Sequence, residues 1–323
     1  MKRGLVIGKF MPLHKGHIAL INFAAEQCDE VIVSMSFTND DPIPHEKRFH
    51  WLIETFRGNE KVIPRLIPDV FDNPDLPLNE RTKKWAEVIA RVYPKIDVVI
   101  SSEPYGEPFA KNLGAKHVAF DNERKQFPIS ASQIRLKPMS NWQFIPEIVR
   151  PFFVKKICFY GAESTGKSTM AGKMAAKYNT VFVPEVAREM LTSNDFTLDD
   201  IINIGHAHLG RILQATHDAN KILFCDTDAL TTQIYSQHYL GQIPNELLKV
   251  EKLMRYDRYF LFDIDVPWIA DGLRDLGHMR KEMHARFKDE LDKRAIKYVS
   301  VTGSWEEREK IVSVEIDKLL RDE

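Results

Sequence analysis

The sequence predicts an α/β fold made of two parallel-sheet, three-layer domains. Short apolar runs alternate with helix-period segments from one end of the chain to the other, the pattern of a sheet covered by crossover helices. A Gly-x-x-x-x-Gly-Lys-Ser octet, Gly161–Ser168, stands in mid-chain, so a complete unit must precede it. The length of 323 residues suits two domains of ordinary size.

Composition narrows the class. Hydrophobic content of 44% and charged content of 28% are those of a soluble globular protein. A net charge of −1 gives no bulk attraction to nucleic acid or to a membrane surface. Cys28, Cys158 and Cys225 lie far apart in apolar runs, as buried thiols of a reducing compartment do. The N-terminal apolar run is broken by Gly8 and Lys9, unlike a signal peptide, and no stretch is long enough for a membrane helix. A cytoplasmic protein is expected, with neither nucleic acid nor membrane as partner. Self-association into a homo-oligomer stays open.

In the first half, strands are expected at Leu5–Ile7, Val31–Val33, Lys61–Ile63, Val98–Ile100 and Lys116–Phe120. Helical patterns fall at Ile18–Gln27, Lys47–Phe56 and Glu80–Val92. The chemistry lies in the loop after the first strand, Gly8-Lys-Phe-Met-Pro-Leu-His14-Lys-Gly16-His17. Gly8 allows a tight turn and Pro12 stiffens it. His14 and His17 then enter a helix N-terminus, where two imidazoles and backbone amides can hold a polyphosphate. A zinc pair is the competing assignment, but the spacing is i, i+3 and no third ligand is evident. A second phosphate site is expected at Ile129-Ser130-Ala-Ser132-Gln-Ile-Arg135, where Ser130 or Ser132 caps a helix that Pro138 ends.

The segment from Lys137 to Pro151 is rich in proline and places a domain boundary near residue 150. Beyond it, Lys156–Tyr160 reads as a buried strand and Thr169–Tyr178 as a helix. The octet between them therefore has the strand–loop–helix context of a P-loop. Backbone amides of Gly161, Glu163, Ser164, Thr165, Gly166 and Thr169 would surround phosphate oxygens. Lys167 would reach the β- and γ-phosphates, and the Ser168 hydroxyl would hold Mg²⁺.

Further strands are expected at Val181–Val183, Lys221–Cys225, Tyr259–Phe262 and Val299–Val301, with helices at Leu198–Asn220 and Trp305–Leu320. Glu185, just after a strand, is a candidate to orient or deprotonate a substrate hydroxyl, and Arg188 to contact substrate. Asp226 follows an apolar strand, as in a Walker B element, and would stabilise Mg²⁺ beside Ser168. Arg274 and Arg280, in the Gly-containing stretch after Asp265, suit a lid over the phosphates.

Gly8, Phe10, Pro12, His14, Gly16 and His17, followed by Ile129, Ser130, Ser132 and Arg135, form a pattern similar to that of the nucleotidyltransferase superfamily. With the P-loop, Pro184–Glu189 and Val266–Arg274, the whole chain resembles the bifunctional NadR-type enzymes. The resemblance implies a Rossmann-like nucleotidyltransferase domain over residues 1–150 and a P-loop kinase domain over 151–323. It implies that the second phosphorylates nicotinamide riboside with ATP and Mg²⁺. The first then adenylylates nicotinamide mononucleotide (NMN) to NAD with release of pyrophosphate. His14 and His17 would grip the triphosphate, with Gly8, Lys9, Phe10 and Ser130 around it. Ser132 and Arg135 would hold the departing phosphates. Trp268 and Asp271 would recognise the riboside, and Trp85 would stack on nicotinamide. Many members add an N-terminal helix-turn-helix repressor domain. This chain starts at the first transferase strand, so catalysis and not repression is expected.

Two other functions fit the same motifs. Phosphopantetheine adenylyltransferase followed by dephospho-coenzyme A kinase uses both motif types in this order. A nucleotide-sensing regulator would bind ATP and NAD without turnover, but it could dispense with Lys167, Ser168, Asp226, His14 and His17, all of which are present.

Overall fold

A computed structural model describes residues 1–270 and 274–321. The chain divides into two compact units, Met1–Val149 and Arg150–Glu323.

The first unit runs β1 (Arg3–Gly8), α1 (Lys15–Gln27), β2 (Glu30–Phe37), α2 (His45–Phe56), β3 (Val62–Pro68), α3 (Leu78–Val92), β4 (Val98–Ser101), α4 (Gly106–Leu113), β5 (Lys116–Ala119) and α5 (Ala131–Leu136). Its five parallel strands lie in the order β3-β2-β1-β4-β5. β1 is central because Leu5 and Val6 are buried on opposite faces of the pleat. Leu5, Ile32 and Val99 pack on Ala86 and Ile89 of α3 and on Phe109 of α4. α1 packs on β1, β2 and β4 through the stripe Leu20, Ile21, Ala24 and Ala25. The strand order reverses between β1 and β4, and α/β ligands bind at the carboxyl ends flanking such a point.

The second unit runs β6 (Lys155–Tyr160), α6 (Lys167–Lys177), β7 (Phe182–Val183), α7 (Ala187–Met190), α8 (Leu198–Asp218), β8 (Ile222–Asp226), α9 (Ala229–Leu240), α10 (Asn245–Leu253), β9 (Arg258–Phe262), α11 (Arg280–Lys293), β10 (Tyr298–Val301) and α12 (Trp305–Leu320). The parallel order is β10-β9-β6-β8-β7. β6 shows why three layers form. Ile157 and Phe159 pack with Met170 and Met174 of α6 and with Val312 and Ile316 of α12. The alternate residues Cys158 and Tyr160 pack with Leu230 of α9 and with Met283 and Phe287 of α11.

The expected strands are present with shifted ends: β3 continues to Pro68 and β7 shrinks to Phe182–Val183. α4, α9, α10 and α11 are additional helices. α9 shows no amphipathic stripe because Ala229 through Ile234 are buried all round its first turns. α8 ends at Asp218, where Ala219 turns extended.

Candidate active sites

In the first unit the loop after β1 is built around a compact turn. Phe10 adopts a left-handed φ of 44°, and its ring covers Gly8. A Cβ at Gly8 would stand 3.3 Å from that ring. His14 then caps α1: its Nδ1 accepts the His17 backbone N–H at 3.3 Å. That bond leaves the proton of a neutral His14 on Nε2, free to meet a phosphate oxygen. The two imidazoles stack with centroids 3.6 Å apart. Gly16 gives them room, since a Cβ there would lie 3.1 Å from the His14 ring.

Both rings are held neutral. Burial, then the Arg124 charge, lowers the His14 pKa to about 4. Burial, then His14 and Arg124, takes His17 well below its ordinary value. The imidazoles are therefore neutral hydrogen-bonding groups, and the cationic charge of this cradle comes from Arg124. That residue donates to the Ile129 carbonyl at 2.7 Å and to Glu103 at 2.6 Å.

Two clefts open at the end of β1. One of about 970 Å³ is lined by Gly8, Phe10, His14, His17, Arg124, Ser130 and Ser132. Ser130 caps α5 in a capping box with Gln133. Arg135 does not line this cleft; it donates to the Ser132 hydroxyl at 3.1 Å and to the Met11 carbonyl, tying α5 to the His14 loop. The other cleft, of about 600 Å³, is lined by Lys9, Ser34, Ser36, Asp69, Asp72, Arg81 and Trp85. Ile7, Gly8 and Tyr105 border both. Lys9 therefore belongs to the second cleft, 3.6 Å from Asp41 and 3.5 Å from Asp69. Trp85 packs at the edge of the core and also lines the cleft, and its indole donates to Asp72 at 3.0 Å. Arg81 grips the same carboxylate with two bonds of 2.9 Å and lies 5.2 Å over the indole.

In the second unit the P-loop folds where glycine is required. Gly161 has φ 134°, and a Cβ there would meet the Phe262 carbonyl at 2.9 Å. Gly166 has φ 88°, and a Cβ there would strike Trp305 at 2.4 Å. Buried Arg308 braces the loop by donating to the Thr165 carbonyl at 3.0 Å and to the Asp263 carbonyl at 3.2 Å. The Thr165 hydroxyl and the Lys167 ammonium both donate to the Ala162 carbonyl, at 2.8 Å each. Lys167 is buried, and burial lowers its pKa against the pull of Asp226 and Glu185. Ser168 and Thr169 are exposed in the first turn of α6.

Asp226 ends β8 with 1% exposure, and neither carboxylate oxygen has a hydrogen-bond partner among the described residues. Burial and then the Glu185 charge raise its pKa to about 6, while Lys167 and the Ser168 hydroxyl act in the opposite sense. A buried, unpartnered carboxylate beside a serine hydroxyl fits Mg²⁺, a hard cation that takes one or two protein oxygens and completes its shell with phosphates and water. Among the described residues no group of three or more His, Cys, Asp or Glu side chains could hold a metal by itself.

Beside the P-loop lies a cleft of about 750 Å³. Glu185 and Arg188 line it as an ion pair of 2.7 Å. Glu163, Asn194, Phe196, Tyr235, Tyr239 and Arg274 complete much of its wall. Trp268 does not line it; the indole lies over Gly277 and donates to Glu163 at 3.4 Å. Asp271 lies outside the described residues. Arg280 is not open toward phosphates, because its guanidinium donates to the Val266 and Ser164 carbonyls at 2.6 and 3.0 Å. The Ile269 amide adds a 2.7 Å bond to the Ser164 hydroxyl. Trp268, Ile269, Leu276 and Arg280 thus dock on the P-loop at Glu163 and Ser164.

Several lining residues escape sequence reasoning. Arg124 carried a signal, since it lies in the loop between the last strand and the Ser130 helix. Asn194, Phe196, Tyr235 and Tyr239 carried none, because they come from a loop and from a helix that periodicity does not reveal.

Two parallel-sheet units, each with a phosphate cradle at its strand ends, define a nucleotide-handling transferase enzyme. Comparison with known proteins agrees. Residues 5–137 match the cytidylyltransferase-like family model, and residues 156–308 match the AAA domain model. The chain is 33% identical over 324 residues to the trifunctional NAD biosynthesis/regulator protein NadR of Escherichia coli, covering 92% of this chain and 78% of that protein. It is 30% identical over 162 residues to the nicotinamide-nucleotide adenylyltransferase of Thermococcus kodakarensis, covering 47% of this chain and 82% of that protein. A crystal structure of NadR protein in complex with NR shares the fold, with a TM-score of 0.79 and 24% identity over 98% of this chain and 96% of that one. The chain belongs to the NadR family. Among its described residues no helix is long and apolar enough to cross a membrane.

Proposed function

We propose that the second unit phosphorylates nicotinamide riboside with ATP, and that the first adenylylates the resulting NMN with another ATP. The products are NAD and pyrophosphate. One observation carries this: a chain related to NadR over 92% of its length keeps two cradles, each with a cleft for a second substrate at its side.

In the kinase step the riboside 5′-hydroxyl attacks the γ-phosphorus, and the bond to the β-bridging oxygen breaks. Glu185 lines the substrate cleft, so it orients that hydroxyl and takes its proton. Asp226 does not line the cleft and faces Ser168, so these two would hold Mg²⁺. The ion would neutralise charge on the β- and γ-phosphates. Lys167 leaves the Ala162 carbonyl for the phosphates.

In the transferase step an NMN phosphate oxygen attacks the α-phosphorus, and pyrophosphate leaves. No proton has to be removed from the nucleophile, so positioning and charge neutralisation suffice. His14, His17, Arg124 and the α5 N-terminus, with Ser130 and Ser132, hold the triphosphate in the larger cleft. Trp85 and Lys9 serve NMN in the smaller one. Incubating the protein with ATP, Mg²⁺ and nicotinamide riboside should produce NAD and one pyrophosphate per NAD. Absence of either product would sink the proposal.

A further inference from the structure

The cleft beside the P-loop contains a polar group that the scheme above leaves without work. α8 packs its stripe Ile201, Ile204, His208 and Ile212 inward at helical spacing. At His208 the stripe has an imidazole where an aliphatic side chain would serve the core. The residue is 1% exposed and lines the cleft. Its Nε2 is buried without a hydrogen-bond partner among the described residues. Such an atom destabilises a fold unless something supplies the missing bond. Burial, then Arg211, lowers the ring's pKa to about 4, so the imidazole stays neutral near pH 7.

Its position along the cleft indicates the ligand atom. Glu185 and Arg188 are the lining residues whose charges reach Lys167 and Asp226, so they mark the phosphoryl end. The charged neighbour of His208 is Arg211 on its own helix. Ile201 and Ile204 share its buried face of α8, and Phe196 lines the same cleft, an apolar setting suited to a ring. A neutral imidazole next to a bound aromatic ring pairs best with a neutral substituent that both donates and accepts, and a carboxamide does both.

We infer that His208 is a specificity-determining residue of the kinase cleft, hydrogen-bonded through Nε2 to the carboxamide on the substrate's base. The assignment rests on the riboside-kinase proposal. It is tested on the full chain with two substrates, nicotinamide riboside and a pyridinium riboside lacking the carboxamide. The wild type should prefer the first in kcat/KM. His208→Leu should lower kcat/KM for nicotinamide riboside roughly 10- to 100-fold, the loss of one buried hydrogen bond. It should leave the bare ring nearly unchanged, so the preference collapses. His208→Gln, which keeps a donor and an acceptor, should restore part of it. The thermal midpoint of H208L should equal or exceed that of wild type, because an unpartnered polar atom is removed from the core.

If H208L keeps the preference, or loses both substrates equally, the assignment is overturned. An unfolded H208L would overturn it too, by showing that the imidazole serves the core. A wild type that phosphorylates neither riboside would instead refute the kinase proposal underneath, and the assignment with it.

Discussion

Replacing Glu185 and Asp226 one at a time separates the proton acceptor from the metal ligand. The Glu185 charge acts on Asp226: it is the largest cause after burial in raising that carboxyl from 3.8 to about 6. A shift of about two units is on the order of 3 kcal/mol against the ionised form. Metal binding needs that form, so phosphorylation should rise as pH increases through about 6. Glu185→Gln removes the neighbouring charge and should move this acid limb to lower pH. It should also cut riboside turnover on the order of 10²–10⁴, the usual effect of losing a general base. Asp226→Asn should abolish the limb and raise the Mg²⁺ concentration for half-saturation on the order of tenfold or more. The assay is ADP release at several Mg²⁺ concentrations on both sides of pH 6, with NMN adenylylation in the same samples reporting on folding. The division of labour is refuted if E185Q turns over at the wild-type rate while D226N loses activity with its Mg²⁺ requirement unchanged.

Other outcomes follow from the same geometry. Lys167→Met should lower riboside phosphorylation on the order of 10²–10³ and spare adenylylation; His17→Ala should do the reverse, as single-substrate assays of each step would show. Arg124→Leu should raise the ATP KM of adenylylation roughly 10- to 100-fold, the loss of a charge-assisted contact. It should also move the His14 and His17 titrations upward, readable by NMR. Acid should destabilise the protein through His14, whose pKa falls from 6.5 unfolded to about 4 folded. Between those values the unfolded chain binds the extra proton, so stability is complete above about pH 6.5 and declines toward pH 4. The decline is on the order of 3 kcal/mol for this residue, measurable by denaturant melts of wild type and His14→Asn.

Elements whose residues obey one local rule were legible in the sequence. The P-loop could be read because Gly161 and Gly166 stand where backbone geometry excludes other residues. The His14 turn could be read because a cap, a small residue and a second imidazole fall in four consecutive positions. What escaped depends on long-range packing. Trp85 could be named as a stacking candidate, but not its partner: Asp72, thirteen residues earlier, comes beside its indole only in the folded chain. Arg280 looks like a phosphate ligand until the Val266 and Ser164 carbonyls are found to occupy it. Phe196 and Tyr235 meet across one cleft only because β7 and β8 are neighbours, and strand order is not written in any local pattern.

The proposed function requires one nucleotide to be cut at two different bonds, and the two cradles offer a physical reason. In the second unit the cation is Lys167, buried in the P-loop, with the Asp226 carboxylate beside it. Charge is concentrated where the β- and γ-phosphates would sit, next to the cleft that Glu185 lines, so a nucleophile there meets the terminal phosphorus. In the first unit both histidines are neutral and the charge comes from Arg124. There the two clefts meet at Ile7, Gly8 and Tyr105, at the end of β1. A triphosphate held by its outer phosphates at His14, Arg124 and Ser130 would place its inner phosphorus toward that border, facing the Lys9 and Trp85 cleft. Under the proposed function, the bond that breaks would be set by where the second cleft joins the cradle, more than by any difference in the reacting groups. A structure of the first unit with an ATP analogue should show the α-phosphorus nearest Gly8; a γ-phosphorus in that position would overturn the argument.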